Sequence, residues 1–382
     1  MTLQLDSSHI DEAINWRHDL HRHPELAFEE HRTSDFIAKL LTEWGYKVSK
    51  GFANTGVVGT MGDGSGPRIG IRADIDALPI NELSGVDYSS VNTGKMHACG
   101  HDGHTSTLLL AARYLAQHPP KRGTLHLIFQ PAEESEGGGR VMIEDGLFDA
   151  APCDAVYAYH NWPSLPFGTL GVQPGAMMAA FSVFDIDISG RGGHAAMPHL
   201  SADVVSAASR LATTLQELPA RRIDPLDPSV LTITQIHTGS AYNICPDTAR
   251  ISGTARWFSE LAGDMLEKSL KSVSKAISEA HACEVSVNYQ RRYPATINTK
   301  AEAGIIADLA EPSGLELRRG SPSMASEDFS FLLNACRGAY FWLGAATEDD
   351  TPGLHSPYFD FNDDLLAKGA EIWVRLCENQ LK

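Results

Sequence analysis

The sequence predicts an α/β domain that is interrupted by a smaller, inserted α+β domain. In the first 180 residues, and again after residue 293, helical patterns alternate with short apolar strands, as in buried α/β sheets. Between these parts, strands with alternating apolar and polar residues are typical of an antiparallel sheet that is covered on one face. We therefore expect a discontinuous larger domain of residues 1–180 and 293–382 and an insert of residues 181–292.

Composition narrows the classes of partner. The chain has 382 residues, 43% of them hydrophobic, and a formal net charge of −17, which disfavours nucleic acid or an anionic membrane as the main partner. No apolar segment follows a basic start, and no apolar run of about 18 residues occurs. The six cysteines are scattered singly, so we expect them to be reduced in a soluble, cytoplasmic protein.

The helices and strands of the first 180 residues are predicted from the spacing of apolar residues and from the proline and turn residues between them. Apolar residues at helical intervals predict helices, the first of which ends before Pro24, and β-branched apolar runs between turn residues predict strands. The predicted elements are helices at 10–21, 33–44 and 105–117 and strands at 57–61, 68–72, 123–130 and 156–160.

The insert and the final part are read from the same patterns. Period-two alternation predicts the strands of the insert, and two longer amphipathic segments predict its helices. We expect strands at 181–190, 230–237, 248–257 and 284–289 and helices at 200–218 and 260–281, followed by a core strand at 339–343 and a final helix at 363–379.

One ten-residue stretch, MHACGHDGHT at 96–105, combines three histidines with a cysteine and an aspartate. Cys99 and His101 are side chains that bind borderline-soft divalent metals, and the glycines beside them allow a tight backbone. A histidine-rich turn that binds nothing is the competing interpretation. Further candidate ligands along the chain weigh against it.

Those further candidates follow apolar strands. Asp74 and Asp76 come after the strand 68–72, and Glu133 and Glu134 come after the strand 123–130. His160 ends the strand 156–160, and His355 lies in a loop beyond the strand 339–343. Open α/β sheets bind ligands at the carboxyl ends of their strands, so the recurrence favours a shared site.

Cys99, His101, a glutamate of the 133/134 pair, His160 and His355 would be too many ligands for one tetrahedral ion. They suit two ions that share a bridge, which implies hydrolysis by an activated water, with the other glutamate as general base. The residues alone leave open which glutamate is the base. Asp74 or Asp76 would orient a ligand histidine, and we take Asp76 as the candidate catalytic residue of the two.

Two other classes of function compete. A Cys99 thiolate paired with a histidine would be a nucleophile, but this scheme leaves Glu133, Glu134, His160 and His355 unexplained. A metal-binding scaffold without turnover is the second, and the full set of ligands together with a base argues against it. The metal itself stays open among zinc, manganese, nickel and cobalt.

Several motifs occur in order over essentially the whole length of the sequence. They are LHRHPEL, RADIDALP, MHACGHDGHT, FQPAEESEGG, the strand-end His160, GRGGHAAMPH, NICPD, ASEDFS and LHSPYFDF. With these motifs the sequence resembles the dinuclear metallohydrolases, a family comprising aminoacylases, hippurate hydrolases, plant indole-acetyl amino acid hydrolases and related carboxypeptidases. The Cys-Gly-His form of MHACGHDGHT resembles the subfamily that handles N-acyl amino acids.

This resemblance implies residue roles. It makes Glu133 the general base and Glu134 a metal ligand with Cys99, His101, His160 and His355. It implies that the insert is a lid and dimerisation domain, in which His194 stabilises the oxyanion across a dimer, although from the sequence alone His194 is a turn residue. Asn243 and Arg256 match positions that hold the substrate carboxylate.

The resulting expectation is a metal-dependent amidohydrolase in a metallopeptidase-like mixed-sheet fold. It would cleave a small-molecule N-acyl amino acid to a carboxylic acid and a free amino acid, using two divalent ions in a homodimer or higher homo-oligomer. The alternatives within this chemistry are a dipeptidase and an N-acetyl-diaminopimelate deacetylase.

Overall fold

The computed structural model describes residues 5–134, 137–319, 322–347 and 351–382. The helices are α1 (Ser7–Arg22), α2 (His31–Glu43), α3 (His101–Gln117), α4 (Gly138–Glu144), α5 (Leu147–Ala150), α6 (Val204–Gln216), α7 (Leu218–Arg222), α8 (Glu260–Ala280), α9 (Lys300–Asp308), α10 (Phe329–Ala335) and α11 (Asp364–Gln380).

The strands alternate with these helices in the first and last parts of the chain and dominate its middle. They are β1 (Lys47–Phe52), β2 (Gly56–Gly62), β3 (Arg68–Asp74), β4 (Thr124–Gln130), β5 (Ala155–Pro166), β6 (Thr169–Gly171), β7 (Gly175–Met178), β8 (Ala180–Ser189), β9 (Gly193–His194), β10 (Ser229–Thr238), β11 (Ile244–Cys245), β12 (Thr248–Trp257), β13 (Glu284–Tyr293), β14 (Thr296–Asn298), β15 (Glu316–Arg318) and β16 (Gly338–Ala346).

The described residues form two compact units. The first lies within Met1–Met177, Thr296–Ser321 and Asp328–Lys382, and the second within Met178–Ala295 and Pro322–Glu327. A short segment after α9 thus belongs to the second unit, apart in sequence from the rest of it. No helix among the described residues combines the length and apolarity that a membrane crossing requires.

The first unit contains an eight-stranded sheet in the order β1-β2-β4-β3-β5-β16-β6-β15. Strands β4, β3, β5 and β16 run parallel to one another, while β2 pairs in antiparallel fashion with both β1 and β4, and β6 pairs in antiparallel fashion with β16. The sheet is therefore mixed, which confirms the predicted fold class. Its central strands are almost wholly buried, because helices such as α3 and α11 pack over them.

The second unit is built on a four-stranded antiparallel sheet in the order β10-β12-β8-β13. Burial alternates along β8, where Phe184, Ile186 and Ile188 face the core. Helices α6 and α8 contribute Leu211 and Leu266 to the same core. The period-two pattern of the sequence thus produces one covered face, as expected for an antiparallel sheet.

Several boundaries differ by a few residues from those predicted, and two of these differences concern candidate site residues. Helix α3 begins at His101, four residues before the predicted start, because Gly100 adopts a left-handed φ of 95° and closes the preceding loop. Strand β5 extends to Pro166, so His160 lies in its middle and not at its end. Strand β1 was not predicted, because its residues are polar or only half buried.

Candidate metal centre and active site

Six side chains that carry metal-binding atoms converge in the first unit. Sγ of Cys99 lies 3.3 Å from Nε2 of His160, and Nε2 of His355 lies 3.1 Å from Oε1 of Glu134. Three overlapping groups each have their ligand atoms within 4.8 Å of one another. These groups are Cys99 with His101 and His160, Cys99 with Glu134 and His355, and His101 with Glu133 and Glu134.

These side chains come from several different segments of the first unit, and Glu133 and Glu134 share one turn. Cys99 is in the loop before α3, and His101 is the first residue of that helix. Glu134 lies in the turn beyond β4, and His160 is inside β5. His355 has a left-handed φ of 64°, and its backbone N–H donates to the carbonyl oxygen of Ala98, which fixes its loop against the cysteine segment.

Burial differs across the group. Cys99, His101 and His160 are buried, and Glu133 is 7% exposed, whereas the His355 side chain is 52% exposed. A metal-binding set that is buried on one side and open on the other leaves room for a substrate. This arrangement is typical of a catalytic metal site rather than a closed structural one.

Two buried atoms have geometry that fits a bound cation. Nε2 of His101 has no hydrogen-bond partner among the described residues, and neither has Oε1 of Glu134. Oε1 of Glu134 and Nε2 of His355 are close, yet they are not aligned as a hydrogen bond. Since buried polar atoms are rarely left unsatisfied, these atoms fit coordination to a divalent metal.

The electrostatics of Cys99 and His160 also fit metal binding. Burial, reinforced by Glu134 and Glu133, raises the pKa of the Cys99 thiol well above its ordinary range. Burial also lowers the pKa of His160 well below its ordinary value, and the nearby His104 adds to this effect. A neutral imidazole is the form that binds metal, and the thiol here ionises only beside a cation. A free thiolate nucleophile is correspondingly disfavoured.

Asp76 holds two members of the group at once. Nδ1 of His101 is 2.9 Å from the backbone oxygen of Asp76 and 3.2 Å from its Oδ1. The backbone N–H of Glu134 donates to Oδ2 of Asp76 over 3.0 Å. Burial opposes a charged imidazole, yet Asp74 and Asp76 raise the pKa of His101 to about 10. The contact directs Nε2 of His101 towards the other candidate ligands.

His104 and Asp102 of the histidine-rich stretch have structural partners. Nδ1 of His104 lies 2.6 Å from Oδ1 of Asp74, and its Nε2 lies 2.6 Å from Oδ1 of Asn161. Asp102 pairs with His21, at 2.8 Å, and lies 3.6 Å from Arg17. His21 lies in the last turn of α1, and its ring is buried against Asp102.

The loop that carries Glu133 and Glu134 is held by a residue that sequence reasoning missed. Oε1 of Glu30 accepts a hydrogen bond from the backbone N–H of Ala132 over 2.9 Å, and Thr55 donates to its Oε2. Burial raises the pKa of Glu30 to about 7, and the nearby Asp76 adds to this effect. In the sequence, nothing distinguishes Glu30 from a surface glutamate before a helix.

The candidate residues of the insert lie in the second unit. His194 and Asn243 are neighbours there, because β9 pairs with β11 and the N–H of Ala195 donates to the oxygen of Asn243 over 3.0 Å. Both are exposed. Arg256 donates to the oxygen of Met324 over 2.8 Å, and its guanidinium lies 4.7 Å from the ring centroid of Phe181. Arg256 is therefore separate from the His194 hairpin within that unit.

Comparison with known proteins identifies the family of this chain. The model of peptidase family M20/M25/M40 matches residues 70–379. The chain is 39% identical to the hippurate hydrolase of Campylobacter jejuni over 373 residues, covering 96% of each chain. It is 37% identical to the N-acetyl-L-cysteine deacetylase of Bacillus subtilis over 378 residues, covering 97% of this chain and 90% of the relative.

A solved structure agrees in fold. The crystal structure of the YXEP protein of Bacillus subtilis, described as a dinuclear metal-binding peptidase of the M20 family, superposes with a TM-score of 0.86. The two chains are 31% identical, and the match covers 98% of this chain and 99% of the other. The convergent ligand atoms described above support binding of divalent metal ions. This chain belongs to peptidase family M20/M25/M40 and is a hydrolase that acts on amides.

Proposed function

We propose that this hydrolase cleaves the amide bond of N-acyl amino acids and releases a carboxylic acid and a free amino acid. The observation that carries the proposal is that Glu133 and Glu134 meet Cys99, His101 and His355 in one place. The names of the relatives support the substrate class, since hippurate and N-acetyl-L-cysteine are both N-acyl amino acids.

Two divalent ions fit the overlapping groups of ligands. His101 and His160 would hold one ion and Glu134 and His355 the other, with Cys99 common to both groups. A mixture of thiolate, imidazole and carboxylate suits zinc, manganese, nickel or cobalt. When bound, such ions acidify a water molecule and polarise the amide carbonyl.

Glu133 is the proposed general base. Its carboxylate is buried, and Oε1 accepts a hydrogen bond from the backbone N–H of Asp328 over 3.3 Å. It takes a proton from the attacking water and returns that proton to the leaving amine nitrogen, so that the C–N bond breaks without release of an amide anion. Asp76 keeps His101 and Glu134 in place through both steps.

The second unit is proposed to act as a lid and as the contact of a homodimer or higher homo-oligomer. His194 is exposed at the hairpin of β9 and β11, where a second copy of the chain can reach it. There it would stabilise the oxyanion in the partner's site, while Asn243 and Arg256 would bind the substrate carboxylate. We place the protein in the cytoplasm, where its six free cysteines would stay reduced.

The test is turnover of a panel of N-acetyl and N-benzoyl amino acids by the metal-loaded protein, with and without a chelator. We expect turnover that the chelator abolishes and added metal restores. Glu133→Gln is expected to lose turnover with an unchanged metal content, whereas Glu134→Gln loses metal as well. Turnover restricted to dipeptides would replace the proposed substrate class, and no turnover on any substrate would refute the proposed function.

A further inference from the structure

A buried network of three polar side chains lies beneath the loop that carries Glu133. Arg72 in β3, Gln130 at the end of β4 and Asp328 before α10 are at most 2% exposed. Nε of Arg72 donates to Oε1 of Gln130 over 2.9 Å, and its Nη2 donates to Oδ1 of Asp328 over 2.8 Å. Nε2 of Gln130 lies 2.8 Å from each carboxylate oxygen of Asp328.

The Asp328 carboxylate also contacts the start of α4, which follows this loop. Its Oδ2 accepts a hydrogen bond from the backbone N–H of Gly139 over 2.8 Å. Asp328 thereby holds residues on both sides of Glu133, because Gln130 precedes it and Gly139 follows it. In addition, the backbone N–H of Asp328 donates to Oε1 of Glu133 itself over 3.3 Å.

Arg72 extends the network to the histidine side of the site. Its Nη1 donates to Oδ2 of Asp74 over 2.7 Å, and Oδ1 of Asp74 contacts Nδ1 of His104 at 2.6 Å. One guanidinium therefore joins the support of the Glu133 loop to the support of the metal-binding helix. The fork geometry of arginine fixes both carboxylates in direction as well as in distance.

Burying such charges carries a large desolvation cost, so the network is a weak source of stability. An apolar cluster of the same volume would fill the space beneath the loop equally well. The hydrogen bonds instead fix angles that apolar packing leaves free. Catalysis by a general base depends on such angles, because a displacement of about 1 Å can lower a rate about 100-fold.

We propose that Asp328 is a positioning residue for the Glu133 carboxylate, acting through its own N–H and through its hold on the loop with Gln130 and Arg72. This assignment rests on the proposed function, in which Glu133 is the general base. It adds a residue 195 positions away from Glu133 to the machinery of the reaction.

Asp328→Asn tests the assignment in the full-length, metal-loaded enzyme. The variant keeps the shape of the side chain, but it replaces one accepting oxygen with an NH2 group that faces the donors of Arg72, Gln130 and Gly139. With an N-acyl amino acid that the parent enzyme cleaves, we expect kcat to fall about 10- to 100-fold while KM changes less than threefold. The ratio of metal to protein is expected to equal that of the parent. A purely structural defect would instead lower activity in proportion to the folded or metal-loaded fraction.

Asp154→Asn is the matched control. Asp154 also pairs with an arginine, Arg68, at 2.7 Å in the same unit, and it contacts none of the candidate site residues through the hydrogen bonds described for it. Its kcat is expected to stay within twofold of the parent value. If Asp328→Asn does not fold, Gln130→Met decides the question, since it removes the amide that bridges Asp328 and Arg72 and should lower kcat with KM unchanged.

The outcomes separate two kinds of failure. A parent enzyme with no turnover refutes the proposed function and this assignment with it. An active parent together with a folded Asp328→Asn variant of equal kcat refutes the assignment alone. A loss of kcat that follows the loss of metal also refutes it, because Asp328 would then support the metal ligands and not the base.

Discussion

His101 and Asp76 are joined by two contacts, since Nδ1 of the imidazole faces both the backbone oxygen and Oδ1 of the aspartate, at 2.9 and 3.2 Å. The same carboxylate accepts the N–H of Glu134 over 3.0 Å. Asp76→Asn is expected to weaken metal binding about 10- to 100-fold, as the loss of an outer partner of a metal ligand usually does. Competition titration against a chromogenic chelator measures this affinity.

The control for that measurement is Asp187→Asn in the second unit. Asp187 pairs with Arg250 at 2.6 Å on the surface, so its loss is expected to leave metal affinity unchanged. Equal affinities for the Asp76 and Asp187 variants would show that the backbone oxygen of Asp76 alone orients His101.

Replacement of Cys99 separates a metal role from a nucleophilic one. Because burial and nearby glutamates raise the pKa of this thiol, we expect it to act only as a cation-bound thiolate. Cys99→Ser should lower metal affinity, and excess metal should restore part of the lost turnover. Cys336→Ser, at a half-buried cysteine, is the control and should behave as the parent. Complete loss of turnover in a metal-saturated Cys99→Ser variant would favour the nucleophile.

A buried histidine at β4 predicts a pH dependence of stability. Burial lowers the pKa of His126 to about 4, below the ordinary value of 6.5. Between these values the unfolded chain binds a proton that the folded chain does not, so His126 makes the free energy of unfolding fall as pH falls from 6.5 towards 4. His126→Asn should flatten this slope in urea unfolding experiments between pH 6.5 and 4.5.

The exposed His118, at the end of α3, provides the comparison. His118→Asn is expected to leave the slope of stability against pH as it is in the parent. An unchanged slope in the His126 variant would mean that His126 does not set the loss of stability in acid.

Two helical glycines predict opposite effects of alanine. A Cβ at Gly304 in α9 would meet no atom within 4 Å, whereas a Cβ at Gly103 in α3 would lie 2.4 Å from the ring of Phe361. Gly304→Ala should stabilise the protein by about 0.5 to 1 kcal/mol, because alanine is the better helix former. Gly103→Ala should lower the melting temperature and, because α3 carries His101, weaken metal binding. Calorimetry measures the melting temperature of both variants. Equal shifts of the two melting temperatures from the parent value would contradict the packing argument.

Local patterns predicted most of the longer helices and strands, and they singled out candidate side chains that lie close together in the structure. The apolar strands before Asp74 and Glu133, and the cysteine and histidines at 97–104, are visible within windows of about ten residues. The mixed sheet of the structure confirms the α/β fold that these patterns predict. Sequence reasoning erred where the structure continues past a local signal, as in β5, which runs on through His160 to Pro166.

The supports of the site could not be read from the sequence. Glu30 accepts a hydrogen bond from the backbone N–H of Ala132, which lies 102 positions further along the chain. Arg72 donates to Asp328, which lies 256 positions further along. Each is an ordinary charged residue in its own window, where a solvated position is the default expectation. Their partners exist only once the sheet has brought β3, β4 and the start of α10 together. Such long-range pairs carry no periodicity that a single sequence displays.

The hydrogen bond from the His355 backbone N–H to the Ala98 carbonyl has a consequence for when the candidate metal ligands come together during synthesis. During synthesis, Cys99, His101, Glu134 and His160 leave the ribosome long before His355 does, since His355 lies 195 positions after His160. An ion captured by the nascent chain would therefore find an incomplete set of ligands. With the proposed set of ligands, final metal loading belongs to the finished polypeptide.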